Sequence, residues 1–438
     1  MEIEYGSQKK ISSPAELQII INQCLTDDLR RQDYIDVVQD LLNFHGDAKK
    51  LARRINALEK DHSTIARMII AQRLADRITD IPLPDRTTRG KRFSRSKYET
   101  FPIPASSVSH NSSQDSSCQD KYLQESMQWF QGLSKLACVL EMKGYKHDTV
   151  PPKIKITILD TGLDEKYRNK HPHGQYYDFI SPTESSCQDL ASHGTQMYQV
   201  LQKVYSEAEI YVGRVFETCE ASAETADLMT QAIDHAATVW GVDIIVMPSG
   251  FENDHKGMLK KITKSTCNDK PVLFFAAAAN SSNMKRVAFP ARLYKRFRVI
   301  SMFSTTAKNK PTPDFHPAPN KCCPFNLVIF GEHVVMDKAK LSGTSVSTII
   351  GAGLAGRLLA FSHHPVNVGK ILHLEDLRDT QGMSTVLKSM AIHENGYDCI
   401  LPEKLLDGFD DSGAEDDPEI LVDYVRRRIG SALATLQD

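Results

Sequence analysis

From Pro151 to Ala278 short β-branched or aromatic runs alternate with longer stretches of helical apolar spacing, and that rhythm leaves few architectures open. Ile154–Leu159, Ile210–Phe216, Val242–Met247 and Val272–Ala278 read as strands, and Thr225–Trp240 and Lys256–Thr266 as helices. A strand, helix, strand succession brings each strand back parallel to the last, so the expected fold is α/β: a mostly parallel sheet with helices on both faces. In open sheets of this kind the active site lies beyond the carboxyl ends of the strands. Asp160 and Asn280 both follow strands and fall where that rule points.

Three short stretches carry chemistry, in a fixed order: Ile158-Leu159-Asp160-Thr161-Gly162, Ser192-His193-Gly194-Thr195 and Ser342-Gly343-Thr344-Ser345. A serine hydroxyl is a weak nucleophile at neutral pH and needs a base beside it; the base needs a carboxylate on its other nitrogen to fix tautomer and charge. Asp160, His193 and Ser345 supply those three residue types. Ser345 opens a run of small and apolar residues to Gly356 that reads as a central buried helix, whose N-terminus favours developing negative charge. Phe274-Phe275-Ala276-Ala277-Ala278-Ala279-Asn280 reads as a buried strand that ends by presenting one amide, so Asn280 and the Ser345 N–H form a candidate oxyanion hole. Taken singly, each residue also has a structural reading: Asp160 and Ser345 as helix caps, His193 as a core histidine, Asn280 as a turn residue.

Together, the four elements and the order Asp, His, Ser resemble a subtilisin-like serine protease over about residues 150–362. The resemblance implies an endopeptidase in which Asp160, His193 and Ser345 are catalytic and Asn280 stabilises the oxyanion. It implies substrate binding at Pro248, Ser249, Gly250 and Ala279, the first three by backbone pairing with an extended peptide. Phe289-Pro290-Ala291 would support the pocket wall. The chain departs from the family where a proline and a histidine usually follow the nucleophile, since Ile349 and Ile350 stand there, and where a glycine usually precedes the oxyanion asparagine, since Ala279 does. Loss of that proline is expected to shift Ser345 slightly, and the Ala279 methyl to narrow the specificity pocket. Many relatives bind calcium; no ligand set maps onto this chain, so no cofactor is expected and calcium is left open as the one alternative.

With 438 residues the chain is long enough for several domains. Four segments are expected: a helical domain over 1–80, opened by the capping box Ser13-Pro14-Ala15-Glu16; a basic, Ser-rich linker over 81–119; the catalytic domain with a leading helix over 120–365; and a helical extension over 366–438. Lys plus Arg is 53 against 55 Asp plus Glu, and the net charge of −2 argues against a nucleic-acid binder or a membrane-surface protein. The linker's basic cluster, Arg86 to Lys97, reads as a solvated stretch, with a nuclear address, a nucleic-acid contact or a processing site as the alternatives. Met1 to Lys10 carries no apolar core of a secretory signal, and the nine cysteines form no CxxC pair, so a cytoplasmic protein with reduced thiols is expected. His171, His173, His363 and His364 read as surface or loop residues, and the acidic run from Asp407 to Glu419 as a solvated loop. The expected partner is a protein or peptide substrate, with a regulatory partner through the N-terminal helices. The rival reading is a catalytically weakened domain of the same fold that works by binding.

Overall fold

The computed structural model describes residues 116–437 apart from 146–148, 170–174, 183–188, 219, 223, 279–286, 312–316, 321–322, 337–338 and 410–417. The expected helical domain over 1–80, almost all of the linker, and the Ala279 and Asn280 positions lie outside the described residues.

The elements run α1 (Ser116–Leu140), β1 (Lys155–Asp160), α2 (Glu165–Arg168), β2 (Tyr176–Asp178), α3 (His193–Val204), β3 (Glu209–Arg214) and α4 (Thr225–His235), which passes into a π-helical turn at Ala236–Trp240. They continue as β4 (Ile244–Met247), α5 (Lys256–Thr266), β5 (Leu273–Ala277), β6 (Ile300–Thr305), β7 (Leu327–Phe330), β8 (Val334–Met336), β9 (Ala339–Leu341), α6 (Thr344–Ser362), α7 (Thr380–Ser389), β10 (Ala391–Glu394), β11 (Tyr397–Ile400) and α8 (Pro418–Ala434). Strands β8 and β9 form a separate hairpin; the others make one nine-stranded sheet in the order β10-β11-β7-β6-β5-β4-β1-β3-β2. Within that sheet every pairing is parallel except β10 with β11.

The strands are apolar at consecutive positions because both faces are covered. Ile156, Ile158, Ile244, Val246, Leu273 and Phe275 point into one core with residues of α1, α3, α6 and α8, whereas Leu159, Ile245, Met247, Phe274 and Ala276 point into a second with α4 and α5. The period of two thus sorts each strand between two cores. Strand β1 is the point of divergence: β3 lies on one side and β4 on the other, with Ile158 opposite both Val212 and Val246. The carboxyl ends of β1 and β4 are therefore neighbours at the switch in strand order, where a crevice opens in sheets of this topology.

Helix α6 is long and apolar enough to cross a membrane by composition, yet every one of its residues is buried inside the domain. Three of its polar side chains find carbonyl partners: Ser347 Oγ donates to the Ile329 carbonyl at 3.0 Å, Thr348 Oγ1 to the Thr344 carbonyl at 2.6 Å, and Arg357 Nε to the Val204 carbonyl at 2.6 Å, whereas Ser362 Oγ has no partner among the described residues. Ile349 and Ile350 are fully buried in an unbroken helix.

Two expectations change. Residues 366–438 are more than a helical extension: they supply the β10–β11 hairpin, and β11 joins the sheet parallel to β7, with Asp398 opposite Leu327. This segment belongs to the same compact unit as the rest of the described chain. His364 is not a surface residue but is wholly buried, because α6 ends inside the core and the chain turns there, Val366 N–H donating to His364 Nδ1 at 3.4 Å.

Candidate active site

Strand β1 ends at Asp160, whose carboxylate is fully buried and accepts a hydrogen bond from Thr161 N–H at 2.7 Å. Both its oxygens lie 2.9 Å from Nδ1 of His193, the first residue of α3. Ser192, just ahead, has φ 56° and ψ 2°, a left-handed conformation uncommon for a residue with a side chain, and it aims the chain into the helix at that point.

The close fit of the first two motifs rests on one glycine. A Cβ on Gly194 would lie 2.3 Å from the Gly162 carbonyl oxygen and 2.9 Å from its nitrogen, both backbone atoms that cannot swing away. Only glycine lets the start of α3 press against the loop after β1.

Helix α3 begins without a side-chain cap from Ser192. Its free N–H groups are met from elsewhere: Gly194 N–H donates to Thr161 Oγ1 at 2.9 Å, and Thr195 N–H to Asp189 Oδ2 at 2.8 Å. Thr161 Oγ1 in turn donates to Asp189 Oδ1 at 2.7 Å, Thr195 Oγ1 to Asp189 Oδ2 at 2.7 Å, and Asp164 N–H to Thr195 Oγ1 at 2.9 Å. Sequence reasoning missed Asp189 and these two threonines; an acidic residue just ahead of a helix start was the available signal.

Burial of the His193 ring disfavours its charged form, but the Asp160 charge, the hydrogen bond that His193 donates to Asp160 and the Asp189 charge outweigh that, and the pKa stands above the ordinary histidine value. A base of this kind works only when neutral. Turnover should therefore be lost as pH falls through a value above about 6.5, as a pH profile of kcat/KM would reveal. An acid limb well below that value would detach His193 from the rate.

Ser345 is the second residue of α6 and is buried. Gly343, two residues ahead, has φ 151° and ψ 159°, a combination open essentially to glycine alone, and so the Gly-Thr-Ser order has a backbone reason. Among the described residues the Ser345 hydroxyl donates to the Pro248 carbonyl at 2.8 Å, and no His193–Ser345 hydrogen bond is formed. Pro248 follows β4 directly, so Asp160 and the carbonyl facing Ser345 come from the ends of adjacent strands.

Ser249 is buried, and its hydroxyl has no hydrogen-bond partner among the described residues. Gly250 packs beneath Ala288, whose Cβ would be 2.5 Å from a side chain there, and Phe251 pairs with Phe289 as an antiparallel bridge, N–H to O at 2.6 and 2.8 Å. The 248–251 segment is thus held to the Phe289-Pro290-Ala291 stretch. Among the described residues no group of three or more His, Cys, Asp or Glu is placed to hold a metal ion.

No family model matches the chain. It is similar to the subtilisin-like protease het-Q2 of Podospora anserina, 24% identical over 295 residues that cover 55% of this chain and 80% of the relative. Solved structures similar to this chain include the prenylagaramide maturation protease PagA (TM-score 0.44, 19% identity, 69% of this chain and 98% of that one) and a lanthipeptide protease (TM-score 0.44, 15% identity, 57% and 86%). The α/β class expected from the sequence holds, with a mostly parallel sheet at its centre.

Proposed function

We propose that this domain is a serine endopeptidase acting on protein or peptide substrates. The observation that carries the reading is the buried Asp160–His193 pair, carboxylate to Nδ1 at 2.9 Å, set at the carboxyl end of β1 beside the residue that follows β4. In this mechanism the Asp160 carboxylate keeps the Nδ1 proton, which leaves the Nε2 lone pair as the base. Rotation about the Ser345 Cα–Cβ bond moves the hydroxyl from the Pro248 carbonyl to that lone pair. Ser345 Oγ then attacks the scissile carbonyl as its proton passes to His193. The oxyanion is held by the Ser345 N–H at the positive end of α6 and by the Asn280 amide, and His193 returns the proton to the leaving amine. An extended substrate pairs with the backbone at Gly250, with Ser249 and Ala279 at the pocket. Free thiols at Cys138, Cys267, Cys323 and Cys399 support a setting inside the cell.

A second reading, binding without cleavage, draws on the Ser345–Pro248 hydrogen bond, which holds the nucleophile away from its base. One experiment separates the two. A fluorophosphonate probe incubated with the full chain should form an adduct that peptide mapping by mass spectrometry places on Ser345, since only an activated serine reacts readily. A folded protein that stays unmodified would leave the binding reading in its place.

A further inference from the structure

The chain on either side of the Asp160–His193 pair is tied into a closed ring of hydrogen bonds, and one carboxylate outside the triad braces that ring through Thr161 and Thr195. Asp160 bonds His193; the next residue, Gly194, donates its N–H to Thr161 Oγ1; Thr161 Oγ1–H donates to Asp189 Oδ1; and Thr161 N–H donates back to Asp160 Oδ1. Asp189 Oδ2 takes Thr195 N–H and Thr195 Oγ1–H. We propose that Asp189 is a positioning residue for this pair, fixing through Thr161 and Thr195 the two segments that carry Asp160 and His193. The proposal rests on the endopeptidase reading and adds a fourth side chain to its machinery.

The argument lies in donor and acceptor counting. Asp189 is buried and receives three hydrogen bonds spread over both of its oxygens, two from hydroxyls and one from an amide. A carboxylate accepts on both sides; a carboxamide accepts on one and donates on the other. Whichever way an asparagine turned, it would face either Thr161 or Thr195 with the wrong polarity. Thr161 Oγ1 already accepts from Gly194 N–H and gives its one proton to Asp189, so an amide N–H facing it would leave that buried proton without its acceptor. Asp189 thus sets the hydroxyl direction at Thr161, and that hydroxyl sets where α3 begins. The charged groups facing the His193 ring are Asp160 at the end of β1 and Asp189 in the loop ahead of α3; the described residues of the 248–250 segment and the first turn of α6 carry none.

The test is the fluorophosphonate labelling rate of Ser345 in the full chain as a function of pH, with thermal melting as a check on folding. D189N should label roughly 100-fold more slowly, the scale of a misplaced reacting group. Its acid limb should move to lower pH, because one of the two negative charges holding the His193 proton is gone. A stability role alone would lower the amplitude with the folded fraction and leave the midpoint where it was. An unchanged rate or an unchanged midpoint in folded D189N overturns the proposal. Should D189N fail to fold, Thr161→Ser and Thr161→Val decide: serine keeps the hydroxyl relay and should keep the rate, valine should lose it, and equal rates overturn the proposal. Wild-type protein that does not label at all would sink the endopeptidase reading instead.

Discussion

Ser345→Ala should leave a folded protein whose turnover of a peptide substrate is about 10⁶-fold below that of the parent chain, the scale for losing the nucleophile of a triad. The change is small sterically. Ser345 is the second residue of a wholly buried helix, and among the described residues its hydroxyl makes a single hydrogen bond, to the Pro248 carbonyl. Alanine removes one oxygen and frees one carbonyl, at a cost of about 1–3 kcal/mol in stability. The helix itself does not depend on that oxygen, because α6 is held by the core that includes Ile349, Ile350, Leu354 and Leu358. Steady-state kinetics alongside a thermal melt will tell loss of chemistry from loss of fold. A variant that melts like the parent and keeps its turnover would remove Ser345 from the mechanism.

Asp160→Asn should lower kcat by about 10⁴-fold while KM stays within a few-fold of the parent value. The reason is the direction of one proton. Thr161 N–H donates to Asp160 Oδ1, and this bond holds the amide oxygen of the replacement side chain toward Thr161. The amide nitrogen then faces the ring and donates to Nδ1, which forces the imidazole proton onto Nε2 and leaves no lone pair toward the serine. The geometry survives and the base does not. Measured kcat and KM decide the point, because a rise in KM at constant kcat would make Asp160 a binding residue. The loss should also be smaller than that for Ser345→Ala, since in the asparagine variant the nucleophile remains.

Much of the central sheet and the order of the site were legible in the chain because their signals are local. Strands such as Ile244–Met247 and Leu273–Ala277 are apolar at every position, which only burial on two faces explains, and Lys256–Thr266 is a helix with the boundaries its periodicity suggests. The Asp-Thr-Gly and His-Gly-Thr motifs carry their glycines for reasons visible in space, as the Gly194–Gly162 contact makes plain. What escaped depends on distant partners. Asp189 is an ordinary loop acid by sequence; its burial comes from Thr161, 28 positions earlier. The β10–β11 hairpin escaped for another reason. Asn395-Gly396 is a strong turn signal, and both residues take positive φ, 53° and 84°. Yet β10 is half-exposed to exposed along its length and shows no apolar alternation, so only the turn marked it.

That hairpin also sets an order of events. Strand β11 takes its place beside β7, and residues of α7 and α8, among them Met383, Leu387, Val425 and Leu433, complete the core that surrounds α6. All of them follow Ser345 in the chain by dozens of residues. A ribosome therefore delivers Ser345 well before the segments that complete the packing of its helix. Until the polypeptide beyond Ala391 has emerged, Ser345 sits on a helix lacking part of its packing, and the pairing of β7 with β11 cannot form. On the proposed mechanism, competence is thus deferred to the late stage of synthesis, and a nascent chain carries Ser345 before the packing around its helix is complete.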